Sequence, residues 1–273
     1  MISPEEAAHI ISSHPFIPVE EKINVHQSAG RILAENIHAD SDLPPFDRVM
    51  MDGVAIRMED WNKGIRDYKI TGIQRAGIAA ISLDGEGTCV EVMTGAICPE
   101  NATVIIPYEE CEIKENRCFV LSQTAKERQH IHTKGSDKKK NDVLISSNTV
   151  MSAAEIGVAV SVGYQEINVL SLPKVHIFST GDELVETNVT PLPFQIRRSN
   201  VYVLQELLKQ HGITASESHV ADDRTAIKLV LEKAMEHHDV MLLSGGVSKG
   251  KFDFLPEVLE ELGVKKGFHR IAQ

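Results

Sequence analysis

The spacing of apolar positions changes character along the chain. Near the start, Ala7, Ala8, Ile10 and Ile11 form an apolar stripe at helical spacing. Ser3 is placed to cap this helix, Pro4 suits its first turn, and Glu6 completes a capping box. Pro15 and Pro18 end it. Ile23, Val25, Ile32, Leu33 and Ile37 then suggest short strands, or a strand with a helical turn. At Ser41-Asp42-Leu43-Pro44-Pro45 the composition shifts, and to about Asp142 short apolar runs dominate. These are 68–73, 88–92, 102–106 and 118–121, punctuated by Gly72 and Gly77. Strands at this spacing, joined by turn signals, predict a small barrel or sandwich.

A small-residue helix is predicted over 152–163 and an alternating strand over 164–170, with Pro173 at a junction. From Lys174 the pattern becomes strand and helix in alternation. Strands are expected at 175–178, 213–220 and 240–243, with one more just before Gln273. Ser199 is placed to cap a helix through Val203, Leu204, Leu207 and Leu208 that Gly212 ends. Asp223 or Arg224 opens a helix through Ile227, Val230, Leu231 and Ala234. Phe254, Leu255, Val258, Leu259 and Leu262 stripe a further helix. Two consecutive crossovers of this length imply a doubly wound parallel sheet.

The 273 residues leave room for two or three domains, and 42% hydrophobic with 25% charged residues is ordinary for a globular protein. No apolar run approaches the roughly 20 residues of a membrane helix, and the N-terminus lacks a signal-peptide pattern. The expectation is a cytoplasmic protein with no membrane partner. A net charge of −11 argues against non-specific nucleic-acid binding, although a local pocket can still attract a small anion. Cys89, Cys98, Cys111 and Cys118 form no Cys-x-x-Cys pair, so free thiols are expected rather than a zinc knuckle.

Candidate chemistry gathers where the strands of the last third should end. Ser179-Thr180-Gly181-Asp182-Glu183 follows one strand, Ala221-Asp222-Asp223 another, and Ser244-Gly245-Gly246-Val247-Ser248 a third, with Asp253 a little beyond. Ligands of open α/β sheets bind at that edge, glycine-rich turns there offer N–H groups to phosphate, and carboxylates beside it suit Mg²⁺. Each motif has a plainer reading. The Gly-Gly pair suits an ordinary strand-to-helix turn, and Asp182, Asp222 and Asp223 suit helix caps. Asp52-Gly53 and Met93-Thr94-Gly95 read first as tight turns. His130-Ile131-His132 has no third metal ligand at a helpful spacing, and Lys138-Lys139-Lys140 reads as a solvated loop.

Taken together and in order, these motifs resemble the molybdopterin molybdotransferases, the MoeA family that includes the E domain of gephyrin. The resemblance runs through Ala29-Gly30-Arg31, Pro45-Phe46-Asp47, Met51-Asp52-Gly53, Met93-Thr94-Gly95-Ala96, Glu155-Ile156-Gly157, Ser179-Thr180-Gly181-Asp182-Glu183 and Ser244-Gly245-Gly246-Val247-Ser248. It implies a multidomain α/β fold: a discontinuous helix-and-strand domain at 1–40 plus 143–172, a β-rich domain at 41–142, and a doubly wound molybdopterin-binding domain at 173–273. It implies insertion of molybdate into adenylylated molybdopterin with release of AMP, assisted by Mg²⁺, in a homodimer whose active sites are shared between subunits. Glu183, Asp222 and Asp253 would hold metal and line the crevice, and Asp52 and Thr94 would arrive from the second subunit. Ser179, Thr180, Gly181, Asp182, Ser244, Gly245, Gly246, Val247, Ser248, Asp137 and Arg270 would bind the substrates. Molybdopterin adenylyltransferase and other molybdenum cofactor enzymes are the implied partners.

The chain departs from the family pattern in two internal places. His130-Ile131-His132-Thr133-Lys134-Gly135-Ser136-Asp137 carries weaker basic groups than the family's Arg-x-x-Gly-x-Asp segment. Arg198 precedes Ser199-Asn200 where an acid or amide is usual. Family members also continue into a Lys-Pro-Gly-Lys-Pro stretch and a C-terminal barrel, so the chain is expected to be C-terminally truncated and impaired in turnover. Two alternatives share the fold: a molybdopterin adenylyltransferase, and a non-catalytic dimeric scaffold.

Overall fold

The computed structural model describes residues 1–245 and 254–272. The chain forms two compact units: Asn36–Ser147 with Gly157–Gln165, and Met1–Glu35 with Asn148–Ile156 and Glu166–Gln273. The division differs from the expected boundaries at 41 and 142. The short strands Ile37–His38 and Val143–Ile145 pair with each other, which draws both into the β-rich unit.

The β-rich unit is built on one mixed six-stranded sheet. Its order is Val104–Pro107, Gly53–Ile56, Thr88–Val92, Asp67–Gln74, Arg117–Val120 and Cys111–Lys114. The two outermost strands are consecutive in the chain and are joined only by the turn Tyr108–Glu110. In a flat sheet their separation would be about 24 Å, five strand spacings. So short a link reaches only about 14 Å. The sheet therefore curls toward a barrel, as the strand spacing predicts, and its outer strands lie opposite in order without pairing.

Both faces of this sheet are covered. Ala55, Val90, Val92 and Ile105 enter one core cluster, and Val54, Ile56, Cys89, Val104 and Ile106 enter another. Period-2 alternation accounts for this split. All of Gly53–Ile56 is buried. Gly53 is required there for lack of room: a Cβ would lie 2.0 Å from the Ile106 carbonyl oxygen.

The other unit contains an antiparallel ribbon, Glu20–Asn24 with Glu166–Leu170, and a three-stranded parallel sheet. The expected capping box forms at helix Pro4–Ser12, with Ser3 and Glu6 capping each other's backbone. The parallel sheet has the order Ser216–Val220, Val175–Thr180, Val240–Ser244. Its first strand in the chain is thus central, which is the doubly wound arrangement. The crevice of such a sheet lies where successive connections leave in opposite directions, here between the ends of Val175–Thr180 and Val240–Ser244.

The central strand is wholly buried. Phe178 packs with Ile227, Leu231, Leu255 and Val258 from helices Arg224–His237 and Leu255–Glu261. Helix Asn200–Lys209 carries the first crossover and buries Val201. Two local expectations need correction. The strand expected near the C-terminal end is a single bridge from Ile271 to Ile2 and does not extend the parallel sheet. Ser199 sits at the N-cap position but makes no side-chain cap hydrogen bond. Its backbone is helical (φ −115°, ψ −34°) rather than extended, unlike the usual capping geometry.

Candidate functional site

The carboxyl edge of the parallel sheet carries a compact polar cluster. Register aligns Thr180 with Val220, so Asp222 arrives beside the end of the central strand. The buried Thr180 hydroxyl donates to Asp222 Oδ1 at 2.6 Å. The Asp222 N–H donates to Asp182 Oδ1 at 3.2 Å. The neighbouring Asp223 is the N-cap of helix Arg224–His237 and accepts from the Ala226 N–H at 2.8 Å. The two acids have therefore divided: one caps, and the other faces the strand end.

The third strand closes on the same place. Ser179 pairs with Ser244 across the sheet, and Asn200 Nδ2 donates to Ser244 Oγ at 3.1 Å. Gly245 has φ +91°, and a Cβ on it would stand 2.5 Å from the Thr180 carbonyl oxygen. Only glycine allows that approach without backbone movement. The Glu183 carboxylate folds back over Gly181, within 2.7 Å of where a Cβ would be.

The β-rich unit holds a second acid–hydroxyl pair. Asp52 Oδ1 accepts from the Thr94 N–H at 2.6 Å and from the Thr94 hydroxyl at 2.7 Å. Those two donors hold the Asp52 carboxyl below the usual aspartate range, the hydroxyl contributing most. Elsewhere in this unit His132 bridges Arg48 Nη2, at 3.0 Å, and Asp137 Oδ1, at 2.8 Å. A guanidinium only donates, so the imidazole accepts from Arg48 at Nδ1 and donates to Asp137 from Nε2. The basic support of Asp137 thus passes through a histidine, in the segment where the family places arginine.

Gly246, Val247, Ser248 and Asp253 lie outside the described residues. Arg270 is exposed, and its carbonyl accepts the Ile2 N–H at 3.0 Å. Among the described residues no hydrogen bond or ion pair joins Arg270 to the Thr180 edge. Likewise, among the described residues no group of three His, Cys, Asp or Glu side chains forms a metal site. The donors at the edge are all oxygens, from Thr180, Asp182, Glu183 and Asp222. Such a partial set suits Mg²⁺, which protein sites often hold by one or two carboxylates plus substrate phosphate and water. No helix among the described residues is long and apolar enough to cross a membrane. Asn200, His132 and Arg198 join the polar clusters without having been marked as candidates. Only the departures from the family pattern at the last two drew attention to them.

Comparison with known proteins fits this geometry. Residues 2–163 match the family described as "MoeA N-terminal region (domain I and II)", and residues 176–273 match "Probable molybdopterin binding domain". The chain belongs to the MoeA family. A molybdopterin molybdenumtransferase of Synechocystis sp. is 41% identical over 275 residues, covering 100% of this chain and 70% of that protein. One from Staphylococcus epidermidis is 31% identical over 278 residues, covering 100% of this chain and 66% of that protein. The crystal structure of the molybdopterin biosynthesis MoeA protein from Pyrococcus horikosii superposes with a TM-score of 0.79 at 29% identity, over 97% of this chain and 67% of that one. The chain thus spans about two thirds of its MoeA relatives. MoeA membership places it in molybdenum cofactor biosynthesis and favours a molybdenumtransferase over the adenylyltransferase and scaffold alternatives, because the N-terminal MoeA match covers residues 2–163.

Proposed function

We propose that this chain carries the molybdopterin molybdotransferase activity: it takes adenylylated molybdopterin and molybdate, cleaves the phosphoanhydride, releases AMP and leaves molybdenum on the dithiolene. The observation that carries the reading is the Thr180–Asp222 pair at the carboxyl edge of the parallel sheet, beside its switch point and inside the region matched as molybdopterin-binding. Thr180 fixes the Asp222 carboxylate at the edge where a nucleotide phosphate docks, with Asp182 and Glu183 beside it. The turn at Ser244 and Gly245 offers backbone N–H groups to phosphate at the same edge. Asp222 and Glu183, with Asp253 as the further ligand expected from the sequence, would hold Mg²⁺, which would supply positive charge against the phosphate. Positioning and charge compensation are what phosphoryl chemistry needs from a protein.

The reading extends to assembly. The protein works as a cytoplasmic homodimer, with the Asp52–Thr94 pair of one copy serving the sheet edge of the other. Molybdopterin adenylyltransferase supplies its substrate. The test is AMP release from adenylylated molybdopterin with Mg²⁺ and molybdate, in wild type and in Asp222→Asn. Wild type should release AMP and the variant should be slower by about 100-fold, the scale of losing one oriented polar group at a reacting centre. Equal rates in the two proteins would remove Asp222 from the chemistry. No release by wild type would defeat the reading for this chain.

A further inference from the structure

Beside the Thr180 edge, a cavity of about 110 Å³ is lined by Ser179, Arg197, Arg198, Ser199, Asn200 and Ser244, among others. The protein carries a net charge of −11, so two adjacent arginines facing one small cavity run against its general character. Arg198 is only 5% exposed. Among the described residues its Nε and Nη2 are buried without a hydrogen-bond partner. Its Nη1 donates to Glu186, and its Nη2 lies 3.5 Å from Glu217 Oε2, an ion pair without a hydrogen bond. Both carboxylates are partly exposed, at 52% and 37% of their side-chain surface. They neutralise the guanidinium but leave two of its donor atoms unused.

Buried donors without acceptors are costly, and a guanidinium offers several in a planar fork that suits oxyanions. The same cavity is met by the first turn of helix Asn200–Lys209, whose free N–H groups favour an anion. The Ser199 hydroxyl, which would normally cap that turn, makes no cap hydrogen bond. Ser244 adds a hydroxyl from one strand that flanks the crevice, while Ser179 lines the cavity from the other with its hydroxyl donating to the Ser218 carbonyl at 3.4 Å. Hydroxyls, helix N–H groups and a fixed guanidinium together form a receptor for a tetrahedral oxyanion.

We propose that Arg198 anchors an oxyanion subsite in this cavity, which holds a phosphate or molybdate group of the ligand. The identity of that ligand rests on the proposed molybdotransferase reading, but the binding of the anion does not. Arg198 stands where the family pattern has an acid or amide, so the subsite is a feature of this chain's own sequence.

The test is calorimetric titration of the purified 273-residue chain with inorganic phosphate and, separately, with molybdate at constant ionic strength. Wild type should show saturable binding of at least one of them. Arg198→Gln should weaken it by roughly tenfold or more, the scale of a charge-assisted hydrogen bond, and Arg198→Lys should restore part of it. Glu186→Gln should tighten binding by a few-fold, because it frees the guanidinium from a competing acceptor. It keeps the idea exposed to refutation even if Arg198→Gln unfolds. No binding by wild type, or unchanged affinity in folded Arg198→Gln or in Glu186→Gln, overturns the proposal. Preference for phosphate assigns the subsite to the phosphate end of the pterin, and preference for molybdate to the incoming metal oxyanion. AMP release separates the two ideas. Arg198-dependent anion binding without AMP release keeps the subsite and sinks the transfer reading. AMP release with Arg198-independent binding does the reverse.

Discussion

The two threonine–aspartate pairs of this protein have the same chemistry and opposite settings. Thr180 is buried at the end of a central strand, and strand register brings Asp222 to it. Asp52 and Thr94 are both exposed, on turns that flank the paired residues Gly53 and Val92. Asp222 accepts one hydroxyl and spends its own N–H on Asp182, whereas Asp52 accepts two donors from a single residue. The buried pair is therefore part of the sheet and part of a site at once. The exposed pair is a preset carboxylate held by its two turns and by the strands that flank them. Loss of the first should register as stability, and loss of the second as a change in ionisation.

The largest effect should come from removing the support under the exposed pair. Gly53→Ala puts a Cβ 2.0 Å from the Ile106 carbonyl oxygen, between two strands that cannot separate without breaking their ladder. A loss of about 3 kcal/mol or more is expected in urea denaturation, at the upper end of overpacking costs. An unchanged midpoint would mean the turn before Gly53 is not held by that strand.

A smaller effect separates the pairs directly. Thr180→Val deletes a hydrogen bond made by a buried hydroxyl and should cost about 1 kcal/mol. Thr94→Val, on the surface, should change stability by less than about 0.5 kcal/mol. Equal losses from the two would erase the distinction drawn between the buried and the exposed pair.

The smallest effect is one of pH. The Thr94 hydroxyl, and then its N–H, lower the Asp52 pKa from its ordinary 3.8. A depressed carboxylate stabilises the fold fully above its unfolded-state pKa, and that contribution disappears as pH falls through the folded value. Thr94→Val should raise the Asp52 pKa in a carboxyl NMR titration. Any small stability gap between wild type and variant should close on acidification. A gap that widens toward low pH would assign the Thr94 contribution to something other than the ionised carboxylate.

Much of this fold was legible locally. The capping box of Ser3 and Glu6, the strand at Thr88–Val92 and the helix opened by Asp223 all follow from neighbours within a turn or two. The strand-end motifs around Thr180 and Ser244 were also readable, since apolar runs ending in Gly and Asp mark the carboxyl edge of an α/β sheet. By itself, then, the sequence determined most of the longer elements, the order of architectures and the place where ligand chemistry should collect. Tertiary structure alone decided which side chains meet. Asp222 and Asp223 are equivalent on paper, and the choice of Asp222 for Thr180 follows from strand register. The partners in both threonine–aspartate pairs are 42 residues apart, so no local period announces them. The curl of the six-stranded sheet and the burial of Arg198 beneath two glutamates are likewise products of long-range packing. Local propensity acts over a few residues of backbone, whereas the donors and acceptors of a site are brought together only when distant segments bury their apolar faces against each other.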